Sequence, residues 1–246
     1  MSLMWCVVPR RLISVGFFRI QMLVCLGLSV LAVMSVGKYP TQVIEGPPIL
    51  SESIVRWGGI LLACVSFCGS VLWTLGRRSA GAISGGITAV VSMGTLVLST
   101  FSMQGLTTAS GLLSLGGELA TSAVLGSAMV GMLLGHWYLT SPTMSIAPLH
   151  RLIVVFAGSV GLRCVISAIS MAVYWQKIVS PTHWLWLTLR WAAGLIGPLV
   201  IAFMAWKILK FRNTQSATGV LFVGVILTFI GELVASLLYQ ELLIAF

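Results

Sequence analysis

The sequence contains no aspartate, and only five glutamates stand against fourteen lysines and arginines in its 246 residues. The missing aspartate excludes every Asp-containing triad, Asp-based carboxylate pair and aspartyl-phosphate mechanism. No HExxH, GxxxxGK[ST] or GxSxG occurs, so zincin, P-loop and common serine-hydrolase chemistries lack their motifs. CxxC is absent too, and Cys6, Cys25, Cys64, Cys68 and Cys164 fall mostly inside apolar runs. They read as small packing residues and not as a disulfide framework.

Charge is the scarcest property. Only 8% of residues are charged, 58% are hydrophobic, and mean hydropathy is +1.06, whereas a soluble domain carries about 25% charged residues. So few charges cannot cover a water-soluble surface. The apolar residues fall into runs of about 20, the length that crosses a hydrocarbon core. The expected fold is an all-α polytopic bundle forming a single integral membrane domain over 1–246. Its partner is the lipid bilayer, with further membrane subunits as an option. About seven spans are expected, near 17–37, 54–76, 82–102, 118–139, 149–174, 184–207 and 218–239. Arg10, Arg11 and Arg19 before the first run raise a signal peptide, but the core is long and no clean A-x-A follows.

A formal charge of +9 would suggest nucleic acid in a soluble protein; here membrane topology accounts for it, and no nucleic-acid partner is expected. Dealt into alternate loops, nine basic residues share the side of the N-terminus: Arg10, Arg11, Arg19, Arg77, Arg78, Arg151, Lys207, Lys210 and Arg212. The opposite loops hold two, Lys38 and Lys177. The positive-inside rule then makes the N-terminus cytoplasmic. The uncharged stretch MQGLTTASGLLSLGG, residues 103–117, reads as an interfacial loop.

Five charged residues remain inside or at the edge of spans: Arg56, Arg163, Arg190, Glu118 and Glu232. A charge at the bilayer centre costs about 2.5 to 3.5 kcal/mol on insertion scales, so such residues are normally paired and turned inward. Arg163 and Glu232 each lie about fourteen residues into spans that rise from the same side, roughly 21 Å up at 1.5 Å per residue. Ser159, Arg163, Ser167, Ser170 and Tyr174 follow helical spacing, as do Thr228, Glu232, Ser236 and Tyr239. In the sixth span, Gly194, Gly197 and Pro198 after Arg190 are kink-prone. Two accounts fit. Arg163 and Glu232 form a structural ion pair while Arg56 and Arg190 snorkel to headgroups, or the cluster binds a polar or anionic group such as a carboxylate, a quinone carbonyl or a haem propionate.

His136 and His150 frame the loop between spans four and five. His136 stands five helical turns beyond Glu118 and on its line. Two histidines at one depth suit a b-type haem, with Tyr138 beside them and Arg151 for a propionate. The same residues with Trp137 also describe an interfacial aromatic belt. With no nearby carboxylate they make a poor metal site. The polar loop before the last span, NTQSATG, offers Ser216 and Thr218 as helix N-caps.

The segments GHWYLTSP and RWAAGLIGPLVIAFMAWKILKFRNTQSATGVLFVGVILTFIGEL resemble multi-pass bacterial inner-membrane proteins. The resemblance implies a bacterial plasma membrane and brings no assigned catalytic residues. Three functions are compatible with this sequence. The first is a haem- or quinone-binding subunit of a redox or respiratory assembly; the second is a small-solute or ion transporter or channel. The third is an assembly or structural protein whose charges are interhelical ties. Whether the chain is an enzyme stays open, since its side chains alone supply no self-sufficient catalytic set.

Overall fold

A computed structural model describes residues 1–7, 12–37, 48–104, 109–141, 144–178 and 180–242. Arg10, Arg11, Lys38 and Pro142 lie outside these residues. The described chain is helical, and seven of its helices are long and apolar enough to cross a membrane. Each expected span overlaps one of them, so the chain is an all-α membrane protein.

The elements are α1 (Met4–Val7), α2 (Val15–Ser35), α3 (Pro48–Thr74), α4 (Arg78–Gln104) and α5 (Ala109–Thr140), followed by α6 (Ala147–Tyr174). After a 3-10 turn come α7 (Pro181–Leu189), a π-helical segment (Arg190–Ile196), α8 (Gly197–Lys210) and α9 (Thr214–Leu242). Two compact units result, one over residues 2–115 and one that includes 116–246.

In the first unit, Phe18 of α2 stacks on Trp73 of α3 with ring centroids 4.7 Å apart. The α3 helix ends in a Schellman turn: the Arg77 N–H donates to the Leu72 carbonyl at 3.1 Å and the Gly76 N–H to that of Trp73 at 3.2 Å. That turn needs a left-handed residue, and Gly76 supplies it at φ 70°, a conformation a Cβ disfavours.

In the second unit the sequence punctuates its own helices. Pro148 stands in the first turn of α6, where a missing N–H costs nothing. Ser180 caps α7 by accepting the Thr182 N–H at 3.3 Å. The cap of α9 is Asn213, whose Oδ1 accepts the Ser216 N–H at 3.0 Å; Ser216 and Thr218, expected as caps, lie inside the helix. An amide oxygen one residue before the first helical position reaches the unpaired first-turn donors.

Burial is inverted relative to a soluble protein. Ser66, Ser127, Ser167, Ser170, Thr228 and Arg190 are fully buried, while Val90, Leu31 and Leu233 are more than 60% exposed. Apolar outward faces on this scale are tolerated in lipid and not in water. Most buried hydroxyls donate to carbonyls of the preceding turn, as Thr228 does to Val225 at 2.8 Å, which satisfies them without a partner helix.

Residues 103–117 are not the expected loop. Outside 105–108, which are not described, they complete α4 and open α5. Without proline or charge, and with leucines at close intervals, nothing in 109–117 forces the backbone out of a helix, and in an apolar phase the helix satisfies every backbone group.

A buried Arg-Glu-Arg triad and its cavity

Within the second unit, α5, α6, α9 and the π segment bring charge together. Glu232 of α9 is the hub. Its Oε1 accepts from Arg190 Nη1 at 3.0 Å and from Arg163 Nε at 3.3 Å. Its Oε2 accepts from Arg163 Nη2 at 3.1 Å and from the Thr121 hydroxyl at 2.8 Å. Both guanidinium groups are out of solvent: Arg190 is 0% and Arg163 4% exposed. Arg190 therefore does not snorkel to a headgroup. It forms the second arm of the cluster, and the expected pair is a triad.

Local sequence explains the placement. Pro198 has no N–H to give the preceding turn, and its ring crowds the carbonyl four residues back. The chain meets this with a π turn over Arg190–Ile196, closed by the Gly197 N–H on the Ala192 carbonyl. Such a bulge inserts an extra residue per turn and re-aims the side chains before it. It lies against α9 at its closest point, where a Cβ on Gly194 would come within 2.6 Å of the Gly231 Cα. Only a pair of glycines permits that approach, and Glu232 follows directly. The kink expected of Gly194, Gly197 and Pro198 is thus a π bulge beside the triad.

On α6 the helical spacing works as expected: Ser159, Arg163, Ser167 and Ser170 are all buried. On α9, Thr228 is buried, Glu232 nearly so, and Ser236 exposed. Thr121, which the sequence reading missed, stands one turn after Glu118 on α5. That i, i+3 spacing from an intramembrane carboxyl was the available signal.

Two members of the triad, Arg163 and Glu232, open on a cavity of about 250 Å³ that Glu118, Thr121, Ser236 and Tyr239 also line. Arg163 Nη1 and Arg190 Nε and Nη2 are buried and have no hydrogen-bond partner among the described residues. Two arginines share one carboxylate, so the triad keeps one formal positive charge. Buried donors left unfilled are costly, and an incoming acceptor would relieve that cost. Glu118 makes no ion pair among the described residues and stands exposed at the rim.

The other expected site residues of the second unit make no hydrogen bond or ion pair with the triad among the described residues. Arg56 lies on α3 in the first unit and is exposed. His136 is exposed, and among the described residues no hydrogen bond links it to His150. His150 accepts the Trp206 indole N–H on Nε2 at 2.9 Å. Tyr138 is buried and donates to the Ser145 carbonyl, and Arg151 is exposed. The third histidine, His183, binds the Glu241 carboxylate at 2.8 Å. Among the described residues, no three His, Cys, Asp or Glu side chains gather as a metal would require.

No family model, curated protein or solved structure matches the chain. The function must be argued from the geometry of the triad and cavity.

Proposed function

We propose that this integral membrane protein binds a small solute bearing an anionic group at the Arg163-Glu232-Arg190 triad and carries it across the membrane. The observation that carries this reading is the unfilled Arg163 Nη1, on a triad with one positive charge in excess, beside a polar cavity inside an apolar bundle. A purely structural tie would be expected to satisfy its own hydrogen bonds, because an uncompensated buried charge is expensive. Intramembrane charges around a cavity commonly mark a solute path.

The membrane is the bacterial inner membrane, and the N-terminus is cytoplasmic. If each apolar helix crosses once, Arg77, Arg78, Arg151, Lys207, Lys210 and Arg212 fall on one side, which the positive-inside rule makes the cytoplasm.

A haem- or quinone-binding subunit has less support. One nitrogen of His150 is already occupied by Trp206, and the triad lies apart from both histidines in its hydrogen bonding. The test of the transport reading is efflux of labelled monocarboxylates and amino acids from liposomes holding the purified protein. Arg163→Ala and Glu232→Gln should abolish efflux that the native chain supports. Equal rates in all three proteins would remove the triad from the path.

A further inference from the structure

The cavity beside the triad carries two unmatched charges of opposite sign. Arg163 lines it with an unfilled, buried Nη1 on a cluster that is one positive charge in excess. Glu118 lines the same cavity from α5, yet no ion pair joins it to Arg163 or to any other cation among the described residues. Two opposite charges facing one space without touching leave room for a ligand between them.

We infer that the cavity takes a zwitterion, a small amino acid whose carboxylate meets Arg163 and whose ammonium meets Glu118. This rests on the solute-binding reading above and narrows it. A plain anion would satisfy Arg163 while adding repulsion at Glu118; a plain cation would do the reverse. A neutral apolar molecule would leave Arg163 Nη1 unfilled and give Glu118 no partner, which burial of polar groups penalises. Only a ligand with both charges matches each wall, and charge matching of this kind gives selectivity through the penalty on the wrong partner. Size agrees: a cavity of about 250 Å³ equals the share of about eight water molecules at roughly 30 Å³ each, enough for an amino acid with a short aliphatic side chain. Glu232 is not available to the ammonium, because its oxygens already accept from Arg163, Arg190 and Thr121.

The test uses the full-length protein in detergent, with affinity read from the ligand-dependent rise in unfolding temperature. The probes are L-alanine and L-leucine, each beside the acid lacking its ammonium (propionate, 4-methylpentanoate) and the amine lacking its carboxylate (ethylamine, 3-methylbutylamine). At least one amino acid should bind about tenfold or more tightly than either truncated partner, a difference of about 1.4 kcal/mol. Glu118→Gln should reduce it to the affinity of the acid and leave the acid's own binding in place; Arg163→Gln should remove both. Acids binding as tightly as amino acids, unaffected by Glu118→Gln, would overturn the zwitterion and leave the anion site standing. No binding by any acid or amino acid would overturn the site itself.

Discussion

Replacing Glu232 by alanine strips the triad of its one anion and leaves two buried guanidinium groups facing each other. The four hydrogen bonds that end on this carboxylate, at 2.8 to 3.3 Å, are lost together. Neither arginine can turn to water without repacking, since their side chains are 5% and 0% exposed. Breaking a buried ion pair from one side costs about 3 to 5 kcal/mol. At roughly 2 to 4 °C per kcal/mol for a chain of this size, the unfolding midpoint should drop by about 6 to 20 °C. The assay is thermal unfolding of the detergent-purified variant beside the native protein. Replacing all three residues by methionine should recover most of that loss, because the uncompensated charges go with the carboxylate. A midpoint within about 2 °C of native for Glu232→Ala alone would refute the reasoning, since it would mean that the guanidinium groups find water or other acceptors in the bundle.

Gly231→Ala sets a methyl group against the Gly194 backbone and should cost about 1 to 3 kcal/mol by overpacking, whereas Gly219→Ala, with nothing within 4 Å of the added carbon, should be neutral or slightly stabilising; urea or thermal unfolding of the pair decides it. Pro198→Ala should let the π turn relax toward an α-helix, rotating Arg190 away from Glu232, so amino-acid binding should fall at least about tenfold while far-UV circular dichroism stays unchanged. An absorbance spectrum from 350 to 600 nm of protein from haem-replete cells should lack a Soret band; a band lost in His136→Ala would revive the haem reading.

Much of this arrangement was legible in the residues themselves. Apolar runs fixed the seven helices because helix length in a membrane answers to bilayer thickness, and the scarcity of charge picked out Arg163, Arg190, Glu118 and Glu232 as residues needing partners. Periodicity put Arg163 and its serines on one face of α6. What could not be read was which partners would meet. Arg190 looked like a headgroup residue by depth, and only the π turn created by Pro198 and the glycine contact of α9 carries it to Glu232. The stretch 103–117 read as an interfacial loop because it carries no charge, but its described residues are helical, the conformation that satisfies every backbone group in an apolar phase. His136 and His150 stood out by rarity and by their shared depth, and neither fixes what a side chain meets: both are exposed, and His150 accepts from the Trp206 indole of α8.

The most direct measurement is solute efflux from liposomes holding the triple variant Arg163→Met, Arg190→Met, Glu232→Met, compared with the native protein. Because the buried charges are removed together, this variant should stay folded and so separate a site from a strut. The account predicts a protein of near-native unfolding midpoint with no amino-acid flux above empty liposomes. A folded triple variant that carries solute at the native rate would contradict it and leave the triad a structural tie.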